Sequence, residues 1–139
     1  RPGISLYGGM TNKDLRQVVF PEARVLQVRT LPPGSPVGYN STFKSDAQMH
    51  VATLAIGYAD GYARALSNVG TVLLDGKERP IIGRVSMDLV TIEIGDASNL
   101  KEDDWVSLSF DLSCTSERSG VSPYELLTRL GNRSVRYWV

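Results

Sequence analysis

One cysteine and one histidine occur in 139 residues. Cys114 therefore has no partner for an intrachain disulfide, and with His50 it falls short of a zinc ligand set. No apolar run approaches the roughly 18 residues a membrane-crossing helix needs. Neither sign of charge is in excess, because fifteen Lys and Arg balance fifteen Asp and Glu. That balance gives no whole-chain case for nucleic acid or an anionic membrane, while a local basic site stays open. There is no signal peptide, internal repeat or low-complexity segment. The chain starts at Arg1 without an initiator Met and is expected to be an excised domain, so missing targeting signals say little.

The sequence is organised around Ala55-Ile56-Gly57-Tyr58-Ala59-Asp60-Gly61-Tyr62-Ala63-Arg64. An apolar run, His50 to Ile56, precedes it and reads as a buried strand ending in a sharp turn. Two Gly-Tyr pairs, an Asp and an Arg then crowd together. Glycine lets a backbone turn tightly or approach a ligand closely. Tyrosine adds a rigid ring and a hydroxyl that donates, accepts or exchanges a proton. Such a loop at a strand end serves binding or forms a well-packed, tyrosine-lined turn, and the motif alone leaves both open.

The remaining segments predict a mainly β fold. Ala23 to Thr30 reads as a strand, the Pro- and Gly-rich Leu31 to Gly38 as loop, and Val37 to Phe43 as extended chain. Thr71–Leu74 and Arg79–Val85 flank Asp75-Gly76, a hairpin signal, with Pro80 marking an edge or bulge. Leu89–Ile94 and Trp105–Phe110 alternate as strands, and Gly95 to Asn99 reads as a turn. Asp111 to Gly120 is polar and reads as loop. Ser122, Pro123, Glu125 and Gly131 mark the ends of one helix. Ser134 to Val139 reads as a closing strand. About eight short strands and one short helix predict a small closed or partly closed, Greek-key-like barrel, because many short strands must cover their edges. Arg1 to Gly9 reads as loop and a short extended piece, and one domain, 1–139, is expected, with 1–10 as a linker.

Five motifs then fall in one order: Arg1-Pro2-Gly3-Ile4 with Leu6-Tyr7-Gly8; Val37-Gly38-Tyr39; Gly57-Tyr58-Ala59-Asp60-Gly61-Tyr62 with Arg64; Gly83-Arg84-Val85-Ser86-Met87-Asp88; and Pro123-Tyr124-Glu125. Together they resemble the C-terminal domain of bacterial alanine racemases over essentially the whole chain. The resemblance implies pyridoxal phosphate (PLP) as cofactor and an N-terminal α/β barrel that holds it. It implies a head-to-tail homodimer in which this domain contacts the barrel of its own subunit and that of the partner. A small amino acid is the implied substrate and the cytoplasm the implied location, with no nucleic acid or membrane partner.

By the same resemblance, Tyr39 matches the catalytic tyrosine that exchanges a proton on the L-face in the partner's site. Met87 matches the residue whose backbone N–H meets the substrate carboxylate, and Tyr58 a tyrosine near the substrate. Arg64, Arg84 and Asp88 match the access corridor. Arg1 matches the arginine at the pyridine nitrogen, Gly3 and Ile4 backbone phosphate binders, and Tyr124 a tyrosine whose hydroxyl reaches the phosphate. A phenol ordinarily titrates near 10, so a tyrosine base needs nearby positive charge. An arginine at the pyridine nitrogen stays charged and keeps that nitrogen unprotonated.

The family's cofactor lysine has no match in Lys13, Lys44, Lys77 or Lys101. These 139 residues alone are thus expected to be inactive and to bind PLP weakly or not at all. His50 is read as structural and Cys114 as without a catalytic role. Tyr39, Tyr58 and Tyr62 are expected to mark an interface. Three alternatives are carried forward: a serine or broad-specificity racemase, the β domain of a barrel-type decarboxylase, and a non-catalytic oligomerisation module. The decarboxylase would lack the third and fourth motifs.

Overall fold

Alternation of apolar and polar residues becomes antiparallel pairing in the computed structural model, which describes residues 3–9, 15–95 and 99–138. The strands are β1 (Glu22–Leu31), β2 (Pro36–Val37), β3 (Phe43–Lys44), β4 (Met49–Leu54), β5 (Thr71–Leu74), β6 (Lys77–Ile82), β7 (Val90–Glu93) and β8 (Trp105–Leu108). The expected mainly β fold is present. Six strands close a barrel in the order β1-β4-β7-β6-β5-β8, with β8 pairing back onto β1. The other two, β2 and β3, form a separate hairpin. Asp75 and Gly76 make the predicted two-residue turn, with φ of 51° and 72°, and Leu74 pairs with Lys77 across it. Pro80 lies in β6 opposite Thr71. Pairing of β6 with β7 begins only at Ile81, so the missing N–H interrupts no ladder there.

Successive strand residues face opposite sides, and this builds two cores. Ala52 and Leu54 of β4 and Ile81 of β6 point into the barrel with Val25, Val72 and Ile92. Their neighbours Val51 and Ile82 point outward and pack with Leu31, Val37 and Phe43. Burying each Val, Leu, Ile or Phe among them contributes roughly 1.5–3 kcal/mol before ordering costs. The outer cluster pins the β2–β3 hairpin, and with it the turn at Tyr39, to the barrel wall.

Four expectations are corrected. Gly3–Tyr7 is a short 3-10 helix, not an extended piece. The extended reading of Val37 to Phe43 gives way to a 3-10 turn, Tyr39–Ser41, between β2 and β3. Asp111 to Gly120 is not loop: α1 (Leu112–Ser119) forms there. Asp111 caps it by accepting the Cys114 N–H at 2.8 Å, and Gly120 closes it at φ 70°. Leu112 and Thr115 are its buried residues, too few for an apolar stripe to be read. The expected closing strand is absent over 134–138: Val135, Tyr137 and Trp138 are exposed, because β8 already closes the barrel onto β1 and leaves no edge to join. Arg1, Lys13, Asp96 to Ser98 of the expected turn, and Val139 lie outside the described residues. The expected helix is α2 (Pro123–Arg129), where Ser122 Oγ accepts the Glu125 N–H at 3.2 Å.

Tyr62 belongs to the barrel core, at 1 % exposure, and not to an interface. Its hydroxyl has no hydrogen-bond partner among the described residues and lies where a Cβ on Gly70 would stand. Burial pushes the phenol well above its ordinary range, against a weaker pull from Arg118. Tyr62→Phe is expected to stabilise the chain by about 1 kcal/mol in urea unfolding, since it removes a buried, unpaired polar group. A folded-state pKa above the unfolded one gives stability that is complete below about pH 10 and lost as pH rises further. Tyr62→Phe should remove that alkaline slope. Gly70→Ala should cost about 1–3 kcal/mol by overpacking and cost less in the Tyr62→Phe background. Equal costs in both backgrounds would mean the hydroxyl is not what Gly70 accommodates.

Candidate active site

Three of the sequence motifs converge on one loop, residues 83–88. The segment is shaped at its far end by Ser86: its N–H and Oγ both donate to the Leu89 carbonyl, and Oγ also accepts the Leu89 N–H. Met87 and Asp88 are thereby held at the tip of a tight turn. Met87 is 53 % exposed, and among the described residues no acceptor pairs with its N–H.

The Gly57 motif docks on this tip. Tyr58 N–H donates to Ser86 O at 3.0 Å and Ala59 N–H to Met87 O at 2.9 Å. Gly57 is required by closeness, since a Cβ there would fall on the Met87 carbonyl and 2.5 Å from the Asp88 nitrogen. Asp60 folds back to accept the Gly57 N–H at 2.8 Å, so its carboxylate fixes the turn that presents Tyr58. Tyr58 is exposed.

The Tyr39 turn docks on the near end. Gly38 has φ 73°, and a Cβ on it would lie 2.7 Å from Arg84 N; one on Gly83, at φ 75°, would lie 2.7 Å from Val37 O. Two glycines thus bring the backbones together with no side chain between. Tyr39 stands out from this contact, 69 % exposed, and its hydroxyl has no partner among the described residues. Arg84 is half-buried beside it, while Arg64 is exposed at the start of a 3-10 turn, Arg64–Leu66.

A second cluster forms at the start of α2. Ile4 N–H donates to Tyr124 Oη at 2.9 Å, and a Cβ on Gly3 would collide with that hydroxyl. The far end of α2 abuts the first cluster, because a Cβ on Gly61 would meet the Arg129 carbonyl. Arg1 lies outside the described residues. The described structure therefore joins Tyr39, Tyr58, Arg84, Met87 and Asp88 through one loop, and Gly3, Ile4 and Tyr124 in another group.

Sequence reasoning missed Arg133. It donates to Asp88 at 2.8 Å and lies 3.3 Å from Asp60, tying the segment after α2 to both motif loops. The hydrogen bond to Asp88 and the charges of Asp60 and Asp88 raise its already high pKa. Only its basic character after a helix end hinted at this. Cys114 is exposed on α1, and the Asp111 carboxylate pushes its thiol up, so it is a poor nucleophile. Among the described residues no three His, Cys, Asp or Glu side chains are grouped to hold a metal, and no helix is long and apolar enough to cross a membrane.

The comparisons with known proteins agree on one family. The model of the alanine racemase C-terminal domain matches residues 18–138. The alanine racemase of Methylobacterium sp. (strain 4-46) is 37 % identical over 148 aligned positions, covering 100 % of this chain and 41 % of that protein. That of Rhodospirillum rubrum is 39 % identical, covering 98 % and 39 %. Among solved structures, the Bartonella henselae alanine racemase with covalently bound pyridoxal phosphate superposes with a TM-score of 0.91 at 40 % identity, over 99 % of this chain and 40 % of that one. The Acinetobacter baumannii alanine racemase gives 0.87 at 36 % identity, over 96 % and 40 %. The chain spans about two-fifths of the length of these relatives. With its closed barrel, its three motifs meeting at one loop and these relatives, the chain belongs to the alanine racemase C-terminal domain family.

Proposed function

We propose that this chain is the C-terminal part of a PLP-dependent racemase that interconverts L- and D-alanine, and that it supplies Tyr39 and the Met87 N–H to the site of a partner subunit in a homodimer. The observation that carries this reading is the exposure of Tyr39 and Met87 on a mutually docked set of loops. A phenol hydroxyl and a backbone N–H, both without partners among the described residues, are held outward where a second surface would meet them.

Each residue has a chemical task. The Met87 N–H binds a substrate carboxylate oxygen and fixes the α-carbon's orientation. Tyr39 gives or takes the α-proton on one face, through its Oη. Tyr58 lines the substrate side, and Arg64, Arg84 and Asp88 edge the corridor by which a zwitterion arrives. Tyr124 fits a phosphate: its hydroxyl accepts the Ile4 N–H and so keeps its own proton to donate, and Gly3 leaves the space that a Cβ would fill. Tyr124 Oη and the Gly3 N–H would thus meet the cofactor phosphate, the Ile4 N–H joining them only when it leaves Tyr124, with Arg1 at the pyridine nitrogen. Bound there, PLP acidifies the substrate's α-proton by drawing its electrons into the ring. The cofactor lysine and the opposite-face base belong to an α/β barrel beyond these residues.

The test is a chimera. This chain replaces the corresponding two-fifths of the Rhodospirillum rubrum alanine racemase. The purified, PLP-loaded dimer is expected to racemise alanine in preference to serine, while the 139-residue chain alone does not. A chimera that forms the dimer and takes up PLP but does not turn over alanine would overturn the reading. Preferential racemisation of serine would overturn the substrate assignment.

A further inference from the structure

We infer that Asn68 is a positioning residue whose side-chain amide sets the Tyr39 turn against the Gly83–Asp88 loop; the inference rests on the reading of Tyr39 as the proton-exchanging group. Asn68 lies outside all five motifs and follows the Arg64–Leu66 turn. Its backbone is left-handed, at φ 60°, a conformation that Asn tolerates better than most residues. That conformation turns the side chain toward the two loops.

The Asn68 Oδ1 accepts the Gly83 N–H at 2.6 Å, and Nδ2 reaches Thr42 Oγ1 at a long 3.5 Å. The amide's orientation is dictated chemically: Gly83 N–H only donates, so the oxygen must face it and the NH₂ must face Thr42. Thr42 directly follows the Tyr39–Ser41 turn. Ser67 repeats the device two residues along the loop, its Oγ accepting the Val85 N–H at 3.0 Å and donating to Arg64 O at 2.6 Å. Adjacent residues Ser67 and Asn68 thus catch the Val85 and Gly83 N–H groups of one loop.

The two loops differ in how else they are held. The Met87 tip is anchored by the Gly57 motif and by Ser86. The base of the Tyr39 turn is anchored by Val37 and Phe43 and their strand pairing, and its flank by the bare glycine contact with Gly83 and Arg84. A glycine–glycine contact has no side chain to resist sliding. Fixing Gly83 therefore sets how the flank of the Tyr39 turn sits against the loop, while Met87 keeps its place without Asn68. Misplacing a reacting group by about 1 Å costs on the order of 10²-fold in rate.

Two variants of the chimeric enzyme test this. Asn68→Gly keeps the left-handed backbone and loses the amide. Asn68→Asp tolerates the same backbone and keeps an oxygen for Gly83 N–H. Asn68→Gly is expected to slow α-proton exchange from L-alanine by about 10²-fold and leave exchange from D-alanine near the parent level. Asn68→Asp should restore most of the loss. Amide hydrogen exchange at Gly83 should speed up in Asn68→Gly and stay slow in Asn68→Asp. Equal losses for both enantiomers, or Asn68→Gly with normal L-alanine exchange, would overturn the positioning role. Should the parent chimera fail to racemise, it is the function reading that fails. The Gly83 amide then decides alone: exchange at one rate in parent and both variants overturns the inference.

Discussion

Tyr39→Phe in the chimeric dimer is expected to lower alanine racemisation by roughly 10²–10⁴-fold, the range that general acid–base catalysis supplies. The substitution keeps the ring and removes the hydroxyl. The turn should stay folded, because Val37 and Gly38, not the tyrosine ring, dock it. The loss should be lopsided, with α-proton exchange from L-alanine collapsing and exchange from D-alanine surviving through the barrel's base. A mixed dimer sharpens the test. When a Tyr39→Phe subunit is paired with one lacking the cofactor lysine, a tyrosine acting across the two-fold axis leaves one site with both defects and the other with neither. Such a dimer should recover about half the parent rate, one working site of two. A dead mixed dimer, or near-normal L-alanine exchange in Tyr39→Phe, would remove Tyr39 from the mechanism.

Gly57→Ala should be the most damaging substitution of a residue that carries no chemistry. Gly57 is extended, at φ −155°, so backbone strain is not the issue. The new Cβ would meet Met87 and Asp88 backbone atoms, which no rotamer change can move aside. Separating the two loops should cost about 1–3 kcal/mol of stability. Displacing the Met87 N–H should raise KM as well as lower kcat, to a combined loss on the order of 10²-fold. Gly131→Ala is the control, with no neighbour closer than 3.8 Å. Thermal unfolding and steady-state kinetics on both variants decide. A Gly57→Ala enzyme with parent KM would show that the contact with Met87 does not place a substrate contact.

The fold was readable wherever a signal was local. Asp75-Gly76 carries its own turn, and Ser122 with Pro123 carries its own cap. The α1 helix escaped because its stripe is two residues wide, although Asp111 and Gly120 at its ends were visible capping signals. The described part of the tail, 134–138, was misread for the opposite reason. Its residues favour strands, but a strand needs an unpaired edge, and barrel closure is a property of the whole chain. The motif residues were legible as a set. Asn68, Ser67 and Arg133 were not, because each acts on a loop at least 15 residues away through an ordinary polar side chain.

Barrel closure also imposes an order in time. Glu22 and Ser107, which meet where β1 joins β8, are separated by 85 residues of chain. At about 5–20 residues per second, a ribosome needs roughly 4–17 s to make that stretch. Throughout that interval β1 has at most one of its two neighbours, β4, and its other edge is open to strands of other nascent chains. The ten-residue β1 carries Arg24 and Arg29 among its exposed positions, and charges on an open edge discourage foreign pairing. The seam that completes the barrel is thus the strand pairing that waits longest for its partner during synthesis.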